Sequence, residues 1–235
     1  QQYFVDEKIE LIENGIDVAG LAVQRASIQE GAGREFTKES AAETTELPRQ
    51  LVKLGIIGRL VPVKRHDLMI AAMSTLSQHE SYDVQFHVFG DGPLRQTLEQ
   101  QVHSLKLETS VTFHGYVTDI VHAMQSIDIL VMPSDHEGLP MTLLEAMALH
   151  RPVIAHDVGG ISKLFSGGAG LLVTEHHVEG YVAAIIHALN NGEEFLLQVA
   201  QAAYDKVAKE YDIKSVAQCY LEVYQSLLVE KGHSN

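Results

Sequence analysis

The chain has 235 residues, 46% of them hydrophobic, enough for one large domain or two small ones with a real core. Its 31 acidic residues outnumber 17 basic ones, and the resulting charge of −14 disfavours non-specific binding to nucleic acid or to an anionic membrane. The one cysteine, Cys219, excludes an internal disulfide and a clustered-cysteine metal centre, and it fits a reducing compartment.

The opening QQYFVDEKIE is polar and carries acids early, so it is not a signal peptide, and no apolar run is long enough to span a bilayer. It also lacks a methionine, and the chain is expected to be a fragment or a processed product. KIELIENGID reads as a short strand and an Asn14-Gly15 turn. From Val18 to Arg49 the periodicity is weak, and the segment reads as an exposed excursion with some helix. From Leu51 the pattern is regular. Strands are expected at LVKLGIIG, VQFHVFG, VTFHG, DILVMP, PVIAH and GLLV. Between them, helices are expected at KRHDLMIAAMSTLSQ, with Leu68, Ala71, Ala72 and Leu76 on one face, and at LRQTLEQQVHSLK, with Leu94, Leu98, Val102 and Leu105 aligned. IVHAMQS and MTLLEAMALH follow as helices, and the tail reads as three more, the last with a stripe of Val216, Tyr220, Val223 and Leu227.

Most of these strand runs are apolar on both faces and alternate with helices, which is the pattern of a parallel sheet covered on each side. The expected fold class is therefore α/β, a Rossmann-like parallel sheet with carboxyl-terminal helices. Ligands of such sheets bind beyond the carboxyl ends of the strands. Gly58, Gly90, Gly115, Pro133 and Gly159 fall there or just past it.

Two stretches carry candidate chemistry. In GIIGRLVPVKRHD, Gly58 ends a strand and Arg59 and Lys64 follow, a plausible clamp for a pyrophosphate that stands out in so acidic a chain. In DHEGLPMTLLEAMA, Pro140 opens a helix, so the amides of Met141, Thr142 and Leu143 should be free to bind an anion. Glu137 precedes that helix and Glu145 lies about one turn inside it, where a carboxylate could accept hydrogen bonds from a vicinal diol such as a ribose. On the plainer alternative Glu137 caps the helix and Glu145 faces solvent. Asp91 in FGDGP sits in a turn, for which Asp-Gly has conformational reasons enough. Neither GxxxxGK[ST] nor GxGxxG occurs, nor a GxSxG elbow. The 13 histidines are scattered without ligand spacing, so no metal centre is expected.

In order, GRLVPVKRHDLMIAA, VFGDGPLRQTLEQ, VTFHGYVTDIVHAMQSIDILVMPSDHEGLPMTLLEAMALHRPVIAHDVGG and GAGLLVTE resemble the carboxyl-terminal domain of the family 4 retaining glycosyltransferases, which have the two-domain GT-B fold. The resemblance runs from Ile9 to about Asn191. It implies that residues 1–191 form a donor-binding domain and 192–235 a helical extension. Arg59 and Lys64 would neutralise the donor diphosphate, and Glu145 would hold the ribose. Glu137, beside Gly138, would contact the donor sugar near the reacting carbon. Met141 to Leu143 would lie near the diphosphate or the sugar, Gly58 would match the glycine before the arginine, and the Val117 backbone would lie beside the base. The donor would be a UDP-sugar, with GDP- and ADP-sugars open, and no metal or other cofactor is implied. The acceptor would be a saccharide or a lipid-linked one, placing the parent enzyme in the cytoplasm, with the inner membrane face open to it.

The chain departs from the family pattern in three ways. Ser162-Lys163 stands where Pro-Glu is frequent, which either alters the anion environment or leaves it unchanged. Residues 22–45 match poorly, and the amino-terminal acceptor domain has no counterpart in the sequence. The expectation is therefore weak donor binding without transfer. Two other readings are a nucleotide-sugar 2-epimerase of the same fold and a non-catalytic binding module.

Overall fold

The computed structural model describes residues 12–29 and 50–232. The expected strand in KIELIENGID and the span 30–49 lie wholly or largely outside them. Six parallel strands form one sheet: β1 (Gln50–Ile57), β2 (Tyr82–Phe89), β3 (Val111–Gly115), β4 (Ile129–Met132), β5 (Val153–His156) and β6 (Leu171–Val173). Their order, β3-β2-β1-β4-β5-β6, reverses between β1 and β4, as in a doubly wound Rossmann-type sheet. The helices are α1 (Val18–Gln29), α2 (His66–Leu76), α3 (Arg95–Ser104), α4 (Ile120–Gln125), α5 (Met141–Ala148), α6 (Ile161–Leu164), α7 (Val178–Asn190), α8 (Gly192–Glu210) and α9 (Ile213–Gly232).

Strand alternation divides the core into two layers. Leu54 and Ile56 of β1, Phe86 of β2, Val131 of β4 and Ile154 of β5 pack with α2, α3 and α7 on one face. Ile57, Phe89, Leu130, Met132, Val153 and Ala155 pack with α4, α5 and α8 on the other. This is why the central runs are apolar throughout rather than alternating. The expected α2 stripe is realised, with Leu68, Ala72 and Leu76 buried and Ala71 half-buried. The α3 stripe is realised only in part. The helix stops at Ser104, Leu105 is exposed, and Lys106 turns left-handed (φ 58°), so that Leu107 enters the core instead. In α9, Val216 is buried while Tyr220 and Tyr224 are exposed.

The segment before α1 is docked onto the turn between α8 and α9. Ile16 donates its amide to the Tyr211 carbonyl at 2.8 Å and accepts from the Ile213 amide at 2.9 Å. Lys163 pairs with Glu13 at 2.9 Å, and that bond is the main reason the Glu13 carboxyl titrates below the usual range. The lysine that departs from the Pro-Glu pattern is thus engaged by the segment leading into α1.

Candidate functional site

The carboxyl ends of β1, β2 and β3 are stitched together by their own backbones. Gly58 donates to the Phe89 carbonyl at 2.9 Å, and Gly90 donates to the Gly115 carbonyl at 2.7 Å. Gly90 has φ 137°, and a Cβ there would stand 1.9 Å from the Gly58 carbonyl oxygen, so no other residue fits without moving the β1 end. The result is a bare backbone floor under a cleft of about 400 Å³, lined by Gly58, Arg59, Asp91, Tyr116, Val117 and Ile120 among others. Four expected site residues from three separate strand ends, Gly58 with Arg59, Asp91 and Val117, share this one cleft. Arg59 is exposed, and its guanidinium has no partner among the described residues. Asp91 closes its own turn by accepting from the Gly92 amide at 2.7 Å, as the conformational reading of Asp-Gly anticipates.

Beside this floor the chain makes a short 3-10 turn, Pro62–Lys64, which aims Lys64 back over the β1 end. A Cβ on Gly58 would lie 3.9 Å from Lys64 Cε. Lys64 Nζ donates to Glu137 Oε1 at 2.6 Å, joining residues 73 apart in sequence across the point where the strand order reverses. The Glu137 side chain is 10% exposed and the Lys64 side chain 27%. Glu137 therefore does not cap α5; the N-cap is Pro140, with no side-chain bond. On the other side of the Glu137 loop, Gly159 (φ 57°) lies so near that a Cβ would be 2.0 Å from the Glu137 carbonyl oxygen. Gly138 has open space around it.

At the start of α5, the Met141 and Thr142 amides have no acceptor among the described residues. The Leu143 amide does: it donates to the Pro140 carbonyl at 3.0 Å. The expectation that all three amides are free is corrected to two, because a first turn entered from an extended proline places the Pro140 carbonyl in reach of Leu143. Glu145 is half-buried rather than solvent-facing, and burial pushes its carboxyl above the usual range. It has no hydrogen-bond partner among the described residues, which leaves its oxygens able to accept from a ligand.

Beyond Arg65, which stands out in the sequence as part of the basic cluster Arg59, Lys64 and Arg65, several contributors were not legible there. Arg65, left-handed at φ 50°, bonds Asp67 and also Asp135 of the Glu137 loop at 3.1 Å. His156 and His176 approach the same loop from behind. Tyr116, 78% exposed, stands at the cleft mouth. Apart from Arg65, only the glycines carried a signal, and it was shared with ordinary turns. Among the described residues no group of three or more His, Cys, Asp or Glu side chains is arranged to hold a metal, and no helix is long and apolar enough to cross a membrane.

The chain is similar to known proteins in sequence and in fold. A poly(ribitol-phosphate) alpha-N-acetylglucosaminyltransferase of Staphylococcus aureus is 25% identical over 227 residues, covering 92% of this chain and 46% of its own length. The teichuronic acid biosynthesis glycosyltransferase TuaC of Bacillus subtilis, whose assignment is itself provisional, is 32% identical over 196 residues, covering 83% and 47%. The chain thus spans about half the length of these relatives. The crystal structure of Anabaena HepE in complex with UDP superposes with a TM-score of 0.75 at 22% identity, over 92% of this chain and 57% of that one. The fold is therefore that of the carboxyl-terminal half of a GT-B protein. Residues 37–206 match the family described as glycosyl transferases, group 1, and the chain belongs to that family.

Proposed function

We propose that this chain binds a nucleoside diphosphate sugar, a UDP-sugar first among them, and forms the donor half of a retaining glycosyltransferase of family 4. The observation that carries the reading is the Lys64–Glu137 pair set over the bare Gly58 backbone at the strand-order reversal. A diphosphate leaving group needs positive charge where its own charge develops, and an oxocarbenium-like centre needs negative charge close by. Lys64 and Glu137 supply one of each. Arg59 adds a planar guanidinium suited to two phosphate oxygens. The free amides of Met141 and Thr142 add a helix N-terminus, and Glu145 offers its carboxylate to the ribose hydroxyls.

A carboxylate already paired with a lysine is a weakened nucleophile. This favours same-face attack, with the donor phosphate helping to deprotonate the acceptor, over a covalent sugar on Glu137. In this reading residues 1–191 bind the donor and 192–235 are a helical extension. The acceptor is a saccharide or a lipid-linked saccharide held by a further domain, and transfer requires that domain because orientation supplies much of the rate.

The test is calorimetric titration of the chain with UDP, GDP and ADP, each free and sugar-linked. Saturable binding is expected for the uridine compounds. Losing Arg59 removes a charge-assisted bond of about 1.5–3 kcal/mol, so Arg59→Ala should weaken binding roughly ten- to a hundred-fold. Binding of no nucleotide, or an affinity indifferent to Arg59, would overturn the reading.

A further inference from the structure

Resting on that reading of the cleft, we propose that His156 and His176 are positioning residues. They set the loop that carries Glu137, and so govern how strongly the sugar part of the donor is held relative to the nucleotide part. The loop, residues 133–140, leaves β4 with two successive carbonyls each met by a histidine ring. His176 Nε2 lies 2.7 Å from the Pro133 carbonyl and His156 Nδ1 lies 3.1 Å from the Ser134 carbonyl. A carbonyl oxygen only accepts, so each ring donates, and this fixes which nitrogen carries the proton. The two rings stack, centroids 3.5 Å apart and 15° from parallel. His156 is the last residue of β5, and His176 lies between β6 and α7. The stack therefore ties together the chain beyond three neighbouring strands.

The front of the loop is anchored by a separate set of groups. The Asp135 amide donates to the Val63 carbonyl at 2.9 Å, Arg65 holds the Asp135 carboxylate, and Lys64 holds Glu137. Gly159 supports the Glu137 carbonyl. With the front held by the phosphate-facing segment and the back by the histidines, the Glu137 carboxylate has one place to be. Arg59 and Val117, beyond β1 and β3, make no contact with this clamp, whereas α5 follows the loop directly and shares its placement.

The clamp is also titratable. Burial is the first cause holding His156 below the ordinary histidine value; the Ser134 carbonyl opposes it, His176 adds to it, and Asp135 and Asp157 oppose it. Tyr181 meets His176 edge-on, and His176 Nδ1 is 3.4 Å from Asp135 Oδ1. A proton taken up by His156 would place a positive charge ring against ring with His176, 3.5 Å away. Because burial holds His156 below its ordinary value, that ring is neutral near neutral pH and takes up a proton only as pH falls below about 6.5.

The experiment measures the ratio of affinities for UDP-glucose and UDP-N-acetylglucosamine over UDP at pH 7.5 and 5.5. It uses the chain, His156→Ala and His176→Ala, and the near-isosteres His156→Asn and His176→Gln, which keep a donor near Nδ1 and Nε2. Each alanine variant should lower the ratio roughly tenfold, with UDP affinity falling less than that of the sugar nucleotides, and the isosteres should restore it. A fall in the ratio at pH 5.5 that traces to His156 should be absent from His156→Asn. Amide exchange at residues 134–138, measured without nucleotide, should quicken in the alanine variants alone. Ratios and exchange unmoved by the alanine changes, in a chain that binds the sugar nucleotides, would overturn the clamp and leave the donor site standing. A parent chain that binds no nucleotide would overturn the donor reading, and this inference with it.

Discussion

His66 opens α2 with 1% of its surface exposed, and neither ring nitrogen has a hydrogen-bond partner among the described residues. A buried polar group left unpaired costs about 1–3 kcal/mol. Burial lowers the imidazole to about 4, with nearby Asp67 opposing and Lys64 adding. Between about 4 and the ordinary 6.5 the unfolded chain binds a proton that the folded chain does not. Stability therefore rises with pH across that window and is lost as pH falls through it. Replacing the ring by an apolar side chain removes both penalties. His66→Leu is expected to stabilise by about 1 kcal/mol at pH 7, with the gain growing by on the order of 1–2 kcal/mol at pH 5. Urea denaturation at the two pH values checks this; a variant whose stability falls with acid as steeply as the parent's would show that His66 is not the group responsible. Glu145 presents the opposite case, a half-buried carboxyl raised by burial and without a partner, which suits a residue kept for a ligand rather than for the fold.

At the scale of elements, the strand ends do the positioning, and Gly90 is where they meet most closely. Gly90→Ala would place a methyl 1.9 Å from the Gly58 carbonyl at φ 137°, so β1 and β2 must part at the cleft floor. A cost of about 3 kcal/mol follows from strain and displaced hydrogen bonds, and at about 2–4 °C per kcal/mol calorimetry should show a melting temperature lower by several degrees. A thermally silent Gly90→Ala would mean that the floor is far more compliant than its contacts imply. The strands themselves were legible because burial on both faces leaves an uninterrupted apolar run, as in ILVM of β4. So were α2 and α5, whose apolar stripes are distinct. Helix α1 was not, since VAGLAVQRASIQ has little amphipathic contrast and is held by packing Leu21 against the layer that includes α4 and α5. The Leu105 expectation failed because periodicity does not announce where a helix stops. Arg59, Lys64 and Glu137 were candidates because each lies inside a motif that the family resemblance marks, and the fold brings Lys64 to Glu137. His156 and His176 were not candidates, because only the adjacency of β4, β5 and β6 brings them to one loop.

At the scale of the whole molecule, a chain of charge −14 is asked to bind an anion. Arg59 and Lys64 act within a few ångströms of the cleft floor, where mobile ions screen them little, whereas the surplus acids act across the molecule. The Debye length is about 30 Å at 0.01 M salt and about 8 Å at 0.15 M, so added salt removes the distant repulsion first and leaves the local attraction largely intact. Ordinary anion sites on basic proteins lose affinity as salt rises. Here, the affinity for UDP should hold level or rise by up to a few-fold between 0.01 M and 0.15 M salt, with the association rate rising more clearly than the dissociation rate falls. Stopped-flow and calorimetric titrations at the two ionic strengths measure both. A steep fall in affinity with salt would mean that the potential at the cleft is positive well beyond Arg59 and Lys64, and that cations outside this cleft take part in holding the diphosphate.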